Sequence, residues 1–329
     1  MENKSLLKKL TSSREASLVL VLIVLCIAVT IKSPDFMTVK NIMEILKNNA
    51  FIMIMALGML CVLLIGGIDI SITSTLAFAG MTIGMMYKTG AIQSTLLGFV
   101  IATVMGIVCG LIIGLVISYG RVAPIIATMG FMYIYRGFAY LVAHDQWAGA
   151  DALGTFKDYA LKDFLGLNVI IWLVIVCYAI FFIVMKWTKF GRNIYAVGSN
   201  EEAAGISGIN VGFVKTAVYT IMGALSGFCG AVSVTVYASA QPNMQTAKEM
   251  DVIAACVIGG VSMSGGSGTV LGALLGALVI SVINKALPLM GIPNIAQNTI
   301  KGVLIVVVIV LNVITQRMMD KANLEKREM

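Results

Sequence analysis

The chain has 329 residues, of which 59% are hydrophobic and only 12% are charged. Soluble proteins carry about 25% charged residues, so most of this chain must be solvated by lipid. At about 20 residues per membrane-spanning helix, the length accommodates roughly eight to ten spans and leaves no room for a soluble catalytic domain. We therefore expect a single integral membrane domain over residues 1–329. Its net charge of +7 should report orientation in the bilayer rather than nucleic-acid binding.

Ten apolar runs predict an all-α protein with about ten transmembrane helices. The first run lacks a small-x-small cleavage site, so it should be a retained signal-anchor span. The eighth run is too short to cross a bilayer unless it belongs to a broken helix. The predicted spans cover residues 17–31, 49–65, 72–87, 94–118, 125–142, 167–185, 213–237, 251–258, 269–287 and 299–314.

The distribution of lysine and arginine predicts that both termini are cytoplasmic. The N-terminal segment 1–16, the loop 186–212 and the tail 315–329 are rich in basic residues. The predicted outer segments, among them the loops 144–166 and 238–250, carry fewer basic residues in total. Basic segments remain on the cytoplasmic side of a membrane, so the loop 186–212, hereafter the basic loop, is placed there.

The basic loop has the pattern of a short exposed helix. Ser199 or Asn200 can cap its start, acidic residues fill the first turn, two alanines follow, and Gly205 and Gly208 are expected to end it. A short helix on the cytoplasmic face offers a contact surface to another protein. The candidate residues for this contact are Gly191, Arg192, Asn200, Glu201, Glu202, Ala203, Ala204 and Gly208.

Two glycine-rich segments interrupt apolar runs in a similar way. The first break is Gly66-Gly-Ile-Asp-Ile-Ser71, and the second break is the whole segment 259–268. Both begin with a Gly-Gly-x-x-x-Ser pattern. Matching helix breaks in duplicated halves are common in transporters and lie near the transport pathway. Short Gly/Ser matches also arise by chance in glycine-rich membrane proteins. The candidate break residues are Gly66, Gly67, Gly259, Gly260, Gly265 and Gly266.

Glycine also recurs every fourth residue in two of the predicted spans. This spacing removes side chains from one helix face and predicts close helix contacts rather than a ligand site. The two rows are Gly106, Gly110 and Gly114 in the fourth span, and Gly268, Gly272 and Gly276 at the ninth.

Four polar or aromatic residues are candidates for a pathway or gate: Asp69, Arg136, Tyr133 and Gln241. Asp69 is either functional, as an ionisable group near lipid, or a cap for the helix that follows, and we favour the cap. Proton-coupled transport would need further buried acids, and none is expected. Arg136 either hydrogen-bonds a passing solute or a neighbour, or extends to the outer surface. Tyr133 belongs either to a stacking wall or to an interfacial tyrosine belt.

The sequence lacks the common motifs of nucleotide-binding and catalytic proteins. It contains no G-x-x-x-x-G-K-[ST], no G-x-S-x-G and no H-E-x-x-H. The single histidine, His144, is too little for a metal site or a catalytic triad. We therefore expect no enzyme activity, no metal and no cofactor on this chain, so the energy for any transport must come from outside it.

Six motifs distributed along the chain occur together: Phe190-Gly-Arg-x-Ile-Tyr-Ala-x-Gly-x-Asn-x-x-Ala-Ala-x-x-Ser-Gly-Ile209, the first break, Arg121-Val-Ala-Pro-Ile-Ile-Ala-Thr128, Tyr135-Arg-Gly137, Gln241-Pro242 and Ile258-Gly-Gly-Val-Ser-x-x-Gly-Gly-x-Gly268. Together they resemble the membrane permease subunits of ribose-type ABC sugar importers, over nearly the whole chain. Tyr135-Arg-Gly137 followed by Asp145-Gln146 looks closest to the rhamnose and autoinducer-2 branches. Ile72-Thr-Ser74 departs from the Val-Gly-Ser that is common in the family.

The resemblance implies a type II ABC importer fold in a bacterial cell membrane. It also implies a second permease subunit, identical or different, a cytoplasmic ATP-binding subunit docked on the basic loop, and an extracytoplasmic sugar-binding protein. ATP and Mg²⁺ would bind to the partner ATPase subunit. The alternative, an ion- or proton-coupled secondary transporter without an ATPase, would need paired carboxylates within the spans. A structural or receptor membrane protein would need neither the basic loop nor the two breaks.

Overall fold

The computed structural model describes residues 14–293, 296–303, 306 and 310. Most of the predicted N-terminal segment, most of the tenth span and the whole tail 315–329 lie outside the described residues. The described part is mainly helical, as a membrane requires, because lipid offers no hydrogen-bond partners to an exposed backbone. Its named helices are α1 (Arg14–Lys32), α2 (Val39–Asn48), α3 (Ala50–Leu64), α4 (Ile72–Lys88), α5 (Thr95–Ser118), α6 (Pro124–Ala143), α7 (Val169–Trp187), α8 (Lys189–Ser199), α9 (Glu201–Ile206), α10 (Val211–Tyr237), α11 (Glu249–Ile258) and α12 (Val270–Leu289).

The first nine predicted spans each coincide with one of these helices, with small differences at the ends. Among the described residues, α5, α6, α7, α10 and α12 are each long and apolar enough to cross a membrane. The pair α2 and α3, bent by 49° where they meet, forms a sixth candidate span. The chain is therefore a multi-pass helical membrane protein. The count of ten spans and the side on which the termini lie remain predictions.

A close helix contact joins α5 and α10 through the first glycine row. A methyl group on Gly106 would lie 2.1 Å from the carbonyl oxygen of Gly223, and one on Gly110 would lie 2.3 Å from that of Tyr219. Only glycine permits backbones to approach so closely. The second row is used in the same way, since a methyl on Gly276 would lie 1.9 Å from the oxygen of Ala255 on α11. The predicted helix-packing role is confirmed for the first row and for Gly272 and Gly276, whereas Gly268 lies before the start of α12 and faces Val261.

The molecule has two ends, which α10 connects. At about 1.5 Å per residue, its 27 residues extend over about 40 Å. The end that contains both breaks and the basic loop is called here the break end. The opposite end is called the hairpin end, after the two-stranded antiparallel pair β1 (Asp163–Phe164) and β2 (Leu167–Asn168).

The segment 144–166 at the hairpin end is packed against the helices instead of forming an open polar loop. It contains a 3₁₀ helix, Gly154–Leu161. Phe156 of this helix is fully buried and stacks on Tyr87 of α4, with ring centroids 4.6 Å apart. Apolar side chains such as Phe156 therefore fix the segment in place.

The non-helical segment that joins α10 to α11 runs into the helix bundle alongside α4. Ala240 lies against Gly84, Met244 lies against Gly80, and the Glu249 carboxylate accepts a hydrogen bond from Thr73. The contacts move towards the start of α4 as the chain proceeds. The end of this segment enters the bundle at the buried Glu249, and the placement of 238–250 outside the membrane stays a prediction. Because α11 begins inside the bundle, its 10 residues need not cross a membrane.

Candidate functional site

The basic loop contains two helices, α8 and α9, where the sequence predicted one. The glycines and polar residues of α8 give it a low helix propensity, so the pattern concealed it. Tertiary burial of Ile194 and Val197 compensates for this. At the start of α8, the Thr188 hydroxyl accepts a hydrogen bond from the Gly191 amide, as a helix cap does. The predicted contact residue Arg192 is exposed on α8.

The short helix predicted after residue 200 is present as α9. The Asn200 side chain accepts a hydrogen bond from the Ala203 amide at 2.9 Å, which identifies Asn200 rather than Ser199 as the cap. Glu201 and Glu202 occupy the first turn. Gly205 lies within the helix and does not end it, which corrects the expectation. Gly208, with φ of +83°, forms the turn that follows.

The surface of α9 is almost entirely exposed. Of its six residues, all of which the structure describes, only Ala204 is buried. Ile206 is 84% exposed, which is unusual for a large apolar side chain. Glu201 forms an ion pair of 2.6 Å with Lys215, so a surface contact joins α9 to α10, the longest of the described helices. This small surface has the properties of a docking contact.

Gly198 of α8 lies at the junction between α3 and the second break. A methyl group on Gly198 would lie 1.6 Å from the Leu64 carbonyl oxygen and 2.8 Å from the Gly266 amide nitrogen. That amide donates a hydrogen bond of 2.9 Å to the same Leu64 oxygen. Helix α8 therefore rests on the end of α3 and on the second break at the same point.

The two breaks also contact each other beneath α8. A methyl on Gly265, whose φ is +89°, would lie 3.1 Å from the Gly66 amide nitrogen. The Tyr195 hydroxyl of α8 donates a hydrogen bond of 2.8 Å to the Gly268 carbonyl oxygen. The sequence identified the basic loop and each break separately, but not their meeting. It also missed the roles of Tyr195 and Gly198, although both residues lie within the loop motif.

The remaining break glycines either allow close packing or adopt a left-handed backbone conformation. Gly67 faces the buried Tyr219 hydroxyl, and a methyl there would lie 2.4 Å from it. Gly259 faces Gly272 of α12 in the same manner, at 2.2 Å from its carbonyl oxygen. Gly260 has φ of +87°, so its conformation is one that other residues rarely adopt. Gly66 and Gly266 each have φ of +72°, so all six predicted break glycines have structural reasons for their identity.

Asp69 of the first break closes a local turn. Its carboxylate is buried and accepts hydrogen bonds from the Ser71 amide at 2.9 Å and from the Ser71 hydroxyl at 2.6 Å. This bonding to the residue two positions ahead is an Asx turn at the entrance to α4. Asp69 thus has a structural role at the start of α4, as we favoured over a functional one, although Ser71 rather than Asp69 is the N-cap residue.

Two further acidic residues are buried, contrary to expectation. Glu249 and Asp251 begin α11 and are 8% and 6% exposed. Glu249 accepts a hydrogen bond from Thr73, while Asp251 pairs with Lys248 at 2.9 Å and with Lys301 at 3.7 Å. The sequence did not indicate this burial because α11 was expected to follow an outer loop. Each carboxylate nevertheless has a partner, as buried charges require.

Three of the four pathway candidates lie together, near the hairpin end. Arg136 of α6 donates hydrogen bonds to the carbonyl oxygens of Pro242 and Met244, at 2.8 and 3.0 Å. Gln241 lies beside this turn and donates to the Ser239 hydroxyl at 3.1 Å. Tyr133, one turn before Arg136, is 69% exposed. Arg136 is thus engaged by a neighbouring backbone segment, and Asp69 lies apart from the other three at the break end.

Comparison of the sequence with known proteins identifies a family of transport proteins. Residues 41–310 match the family described as branched-chain amino acid transport system / permease component. The ribose import permease protein of Bacillus subtilis is 36% identical over 294 residues, covering 88% of this chain and 90% of the relative. The L-arabinose ABC transporter permease protein of Azospirillum brasilense is 31% identical over 287 residues, covering 87% of this chain and 84% of the relative.

A third relative, the galactose/methyl galactoside import permease protein of Escherichia coli, is 32% identical over 322 residues and covers 92% of this chain and 95% of the relative. No solved structure matches the chain significantly. All three relatives are named as sugar permeases, and the similarity extends over almost their entire length. This supports a permease component over a secondary transporter that works alone. The chain belongs to the family of membrane permease components of ABC import systems, in its ribose-type carbohydrate branch.

Proposed function

We propose that this chain is the membrane-spanning subunit of an ATP-driven importer for a monosaccharide or a similar small polyol, in a bacterial cell membrane. The proposal includes a second permease subunit, a cytoplasmic ATP-binding subunit and an extracytoplasmic sugar-binding protein. ATP and Mg²⁺ bind to the ATPase subunit, and this chain binds no cofactor. Its assignment to a rhamnose or autoinducer-2 branch stays a prediction.

One observation carries the coupling part of the proposal: an exposed helix is connected through direct contacts to both broken helices. Helix α9 is attached to α10 by the pair between Glu201 and Lys215, and it follows directly after α8. Helix α8 rests through Gly198 on Leu64 and Gly266, which belong to the two discontinuous regions. Movement of α9 by a partner is therefore transmitted to the residues where the spans are interrupted. Helix breaks are the positions at which transporters rearrange.

The exposed side chain of Ile206 is the contact that we assign to the ATPase subunit. A side chain 84% exposed gains by burial in a partner's apolar pocket, and interface affinity commonly depends on a few such anchors. The neighbouring Ala203, Gly205 and Ser207 are small and exposed, so a partner surface can approach the helix closely. The acidic first turn is held by Lys215 and orients the helix.

The test compares Ile206→Asp with the wild-type chain, each reconstituted with the candidate ATP-binding subunit in lipid nanodiscs. We expect association to weaken by at least about tenfold, which corresponds to about 1.4 kcal/mol, and sugar-stimulated ATP hydrolysis to fall with it. Both are measured directly, by titration of the ATPase subunit and by phosphate release.

Leu165→Asp is the matched control, because Leu165 is 78% exposed at the hairpin end. It should leave association and hydrolysis unchanged. If Ile206→Asp binds the ATP-binding subunit as tightly as the wild type does, α9 is ruled out as the docking helix. The same holds if Leu165→Asp weakens this association as much as Ile206→Asp does. Sugar uptake by the chain in liposomes without any ATPase would rule out the importer itself.

A further inference from the structure

We infer that a pocket at the hairpin end binds the transported sugar at the mouth of its path, an inference that rests on the proposed function. The pocket has a volume of about 430 Å³, within the range of about 300–1,000 Å³ that is usual for small-ligand sites. It lies between the end of α6 and the start of the non-helical segment that descends along α4. The lining residues that carry the argument are Tyr140, Asp145, Gln146, Trp147, Gln241 and Asn243.

The lining combines aromatic faces with hydrogen-bonding groups of both kinds. Tyr140 and Trp147 are 53% and 59% exposed, so flat apolar surfaces are open to a ligand. Sugars have this dual character, since C–H groups cover one face of the ring and hydroxyls surround it. An apolar partner alone would not use the carboxylate of Asp145, and an ion would not use the aromatic faces. The chemistry therefore fits a cyclic polyol.

The amides of the pocket are held with their ligand-facing atoms defined. Lys88 donates a hydrogen bond of 2.8 Å to the Gln146 side-chain oxygen, which directs the NH₂ group of that amide to other partners. Gln241 donates through its nitrogen to Ser239, so its oxygen remains as an acceptor. One donor and one acceptor amide, together with the Asp145 carboxylate, match hydroxyl groups, which both donate and accept.

The frame of the pocket is held together by hydrogen bonds within the chain. Ala148 and Ala240 exchange two backbone hydrogen bonds, at 3.1 and 2.8 Å, and so join the two segments that line it. Arg136 fixes the Pro242 and Met244 carbonyls, which sets the start of the descending segment. Arg136 is therefore a positioning residue. Preorganisation of this kind lowers the cost of binding.

The position of the pocket assigns it to the transport path. The descending segment leaves the pocket at Gln241 and continues towards Thr73, with the polar side chains of Asn243 and Thr246 exposed along it. Irregular backbone at membrane depth is tolerated only where it is buried in protein or lines a water-filled cavity. The exposed side chains of Asn243 and Thr246 are polar and therefore suited to line a water-filled path, with the pocket at the start of the segment.

The test is saturation-transfer NMR on the full chain in nanodiscs, with D-ribose, L-arabinose and D-galactose as separate probes. We expect at least one sugar to receive saturation from the wild-type protein. Trp147→Ala should remove most of that signal, and Trp147→Phe, which keeps an aromatic face, should restore most of it. Trp187→Ala is the matched control, since Trp187 is 58% exposed at the break end, and it should retain the full signal.

Absence of saturation for all three sugars, or an unchanged signal in Trp147→Ala, would overturn the inference. Loss of association with the sugar-binding protein in Trp147→Ala, with the sugar signal intact, would also overturn it and identify a protein-docking surface. The proposed function is judged separately, by ATP-driven uptake in liposomes. Uptake that persists while no sugar binds to the pocket contradicts only the inference made here.

Discussion

At the scale of single residues, the site depends on positions where a side chain is absent. The junction between α8, α3 and the second break is formed by backbone atoms in direct contact, with Gly198 between Leu64 and Gly266. A backbone carbonyl cannot change its rotamer to accommodate a methyl group, so the contact tolerates no substitution without displacement of α8. The specificity of the junction therefore lies in glycine rather than in a charged pair.

Gly198→Ala should destabilise the protein and uncouple the basic loop. The added methyl would lie 1.6 Å from the Leu64 oxygen, and overpacking of this kind costs about 1–3 kcal/mol. Thermal unfolding in nanodiscs should show a lower midpoint, together with reduced stimulated ATP hydrolysis. Gly205→Ala is the control in the same loop, because a methyl there meets nothing within 4 Å, and alanine favours a helix by about 1 kcal/mol over glycine. Equal midpoints for the two variants would contradict the junction.

At the scale of elements, the sequence predicts what hydrophobicity and local chemistry determine. The apolar runs located the helices of the first nine predicted spans, and the acidic first turn located α9 with Asn200 as one of two possible caps, because both are local properties. Helix α8 was missed, since the packing of Ile194 and Val197 overrides its low propensity. The descent of the segment after Ala240 and the burial of Asp251 depend on contacts with α4 and α12 that no local pattern encodes. For the same reason, the contact between the two breaks could not be predicted from the sequence of either break.

The helix α9 should depend strongly on its cap. Asn200→Ala removes the hydrogen bond to the Ala203 amide, and such losses cost about 1 kcal/mol. A helix of six residues has few other internal bonds, so its docking surface should fray and the ATPase subunit should bind about fivefold more weakly. Asn200→Ser, which retains a capping oxygen, should restore most of the affinity. If Asn200→Ala binds the ATPase subunit as the wild type does, α9 is not held by its cap.

At the scale of the whole molecule, the two ends differ in their chemistry, and each suits a different step of transport. The break end offers an exposed helix in rigid contact with both interruptions of the bundle. The hairpin end offers an open pocket of aromatic and polar groups, and the descending segment leads from it towards the first break. Ligand recognition and energy input are thus separated by the length of α10. A secondary transporter, by contrast, needs its coupling ion close to the substrate.

The source of energy can be tested on the assembled transporter. Among the described residues the buried acids Asp69, Glu249 and Asp251 are engaged by Ser71, by Thr73 and by lysines, so each takes part in a structural contact of this chain. In liposomes that contain the chain, the ATPase subunit and the sugar-binding protein, uptake should require enclosed ATP and should be unchanged when a protonophore collapses the proton gradient. Glu249→Gln should likewise leave the ATP requirement intact. Uptake that follows the proton gradient without ATP, and that Glu249→Gln abolishes, would instead assign the driving force to a buried carboxylate of this chain.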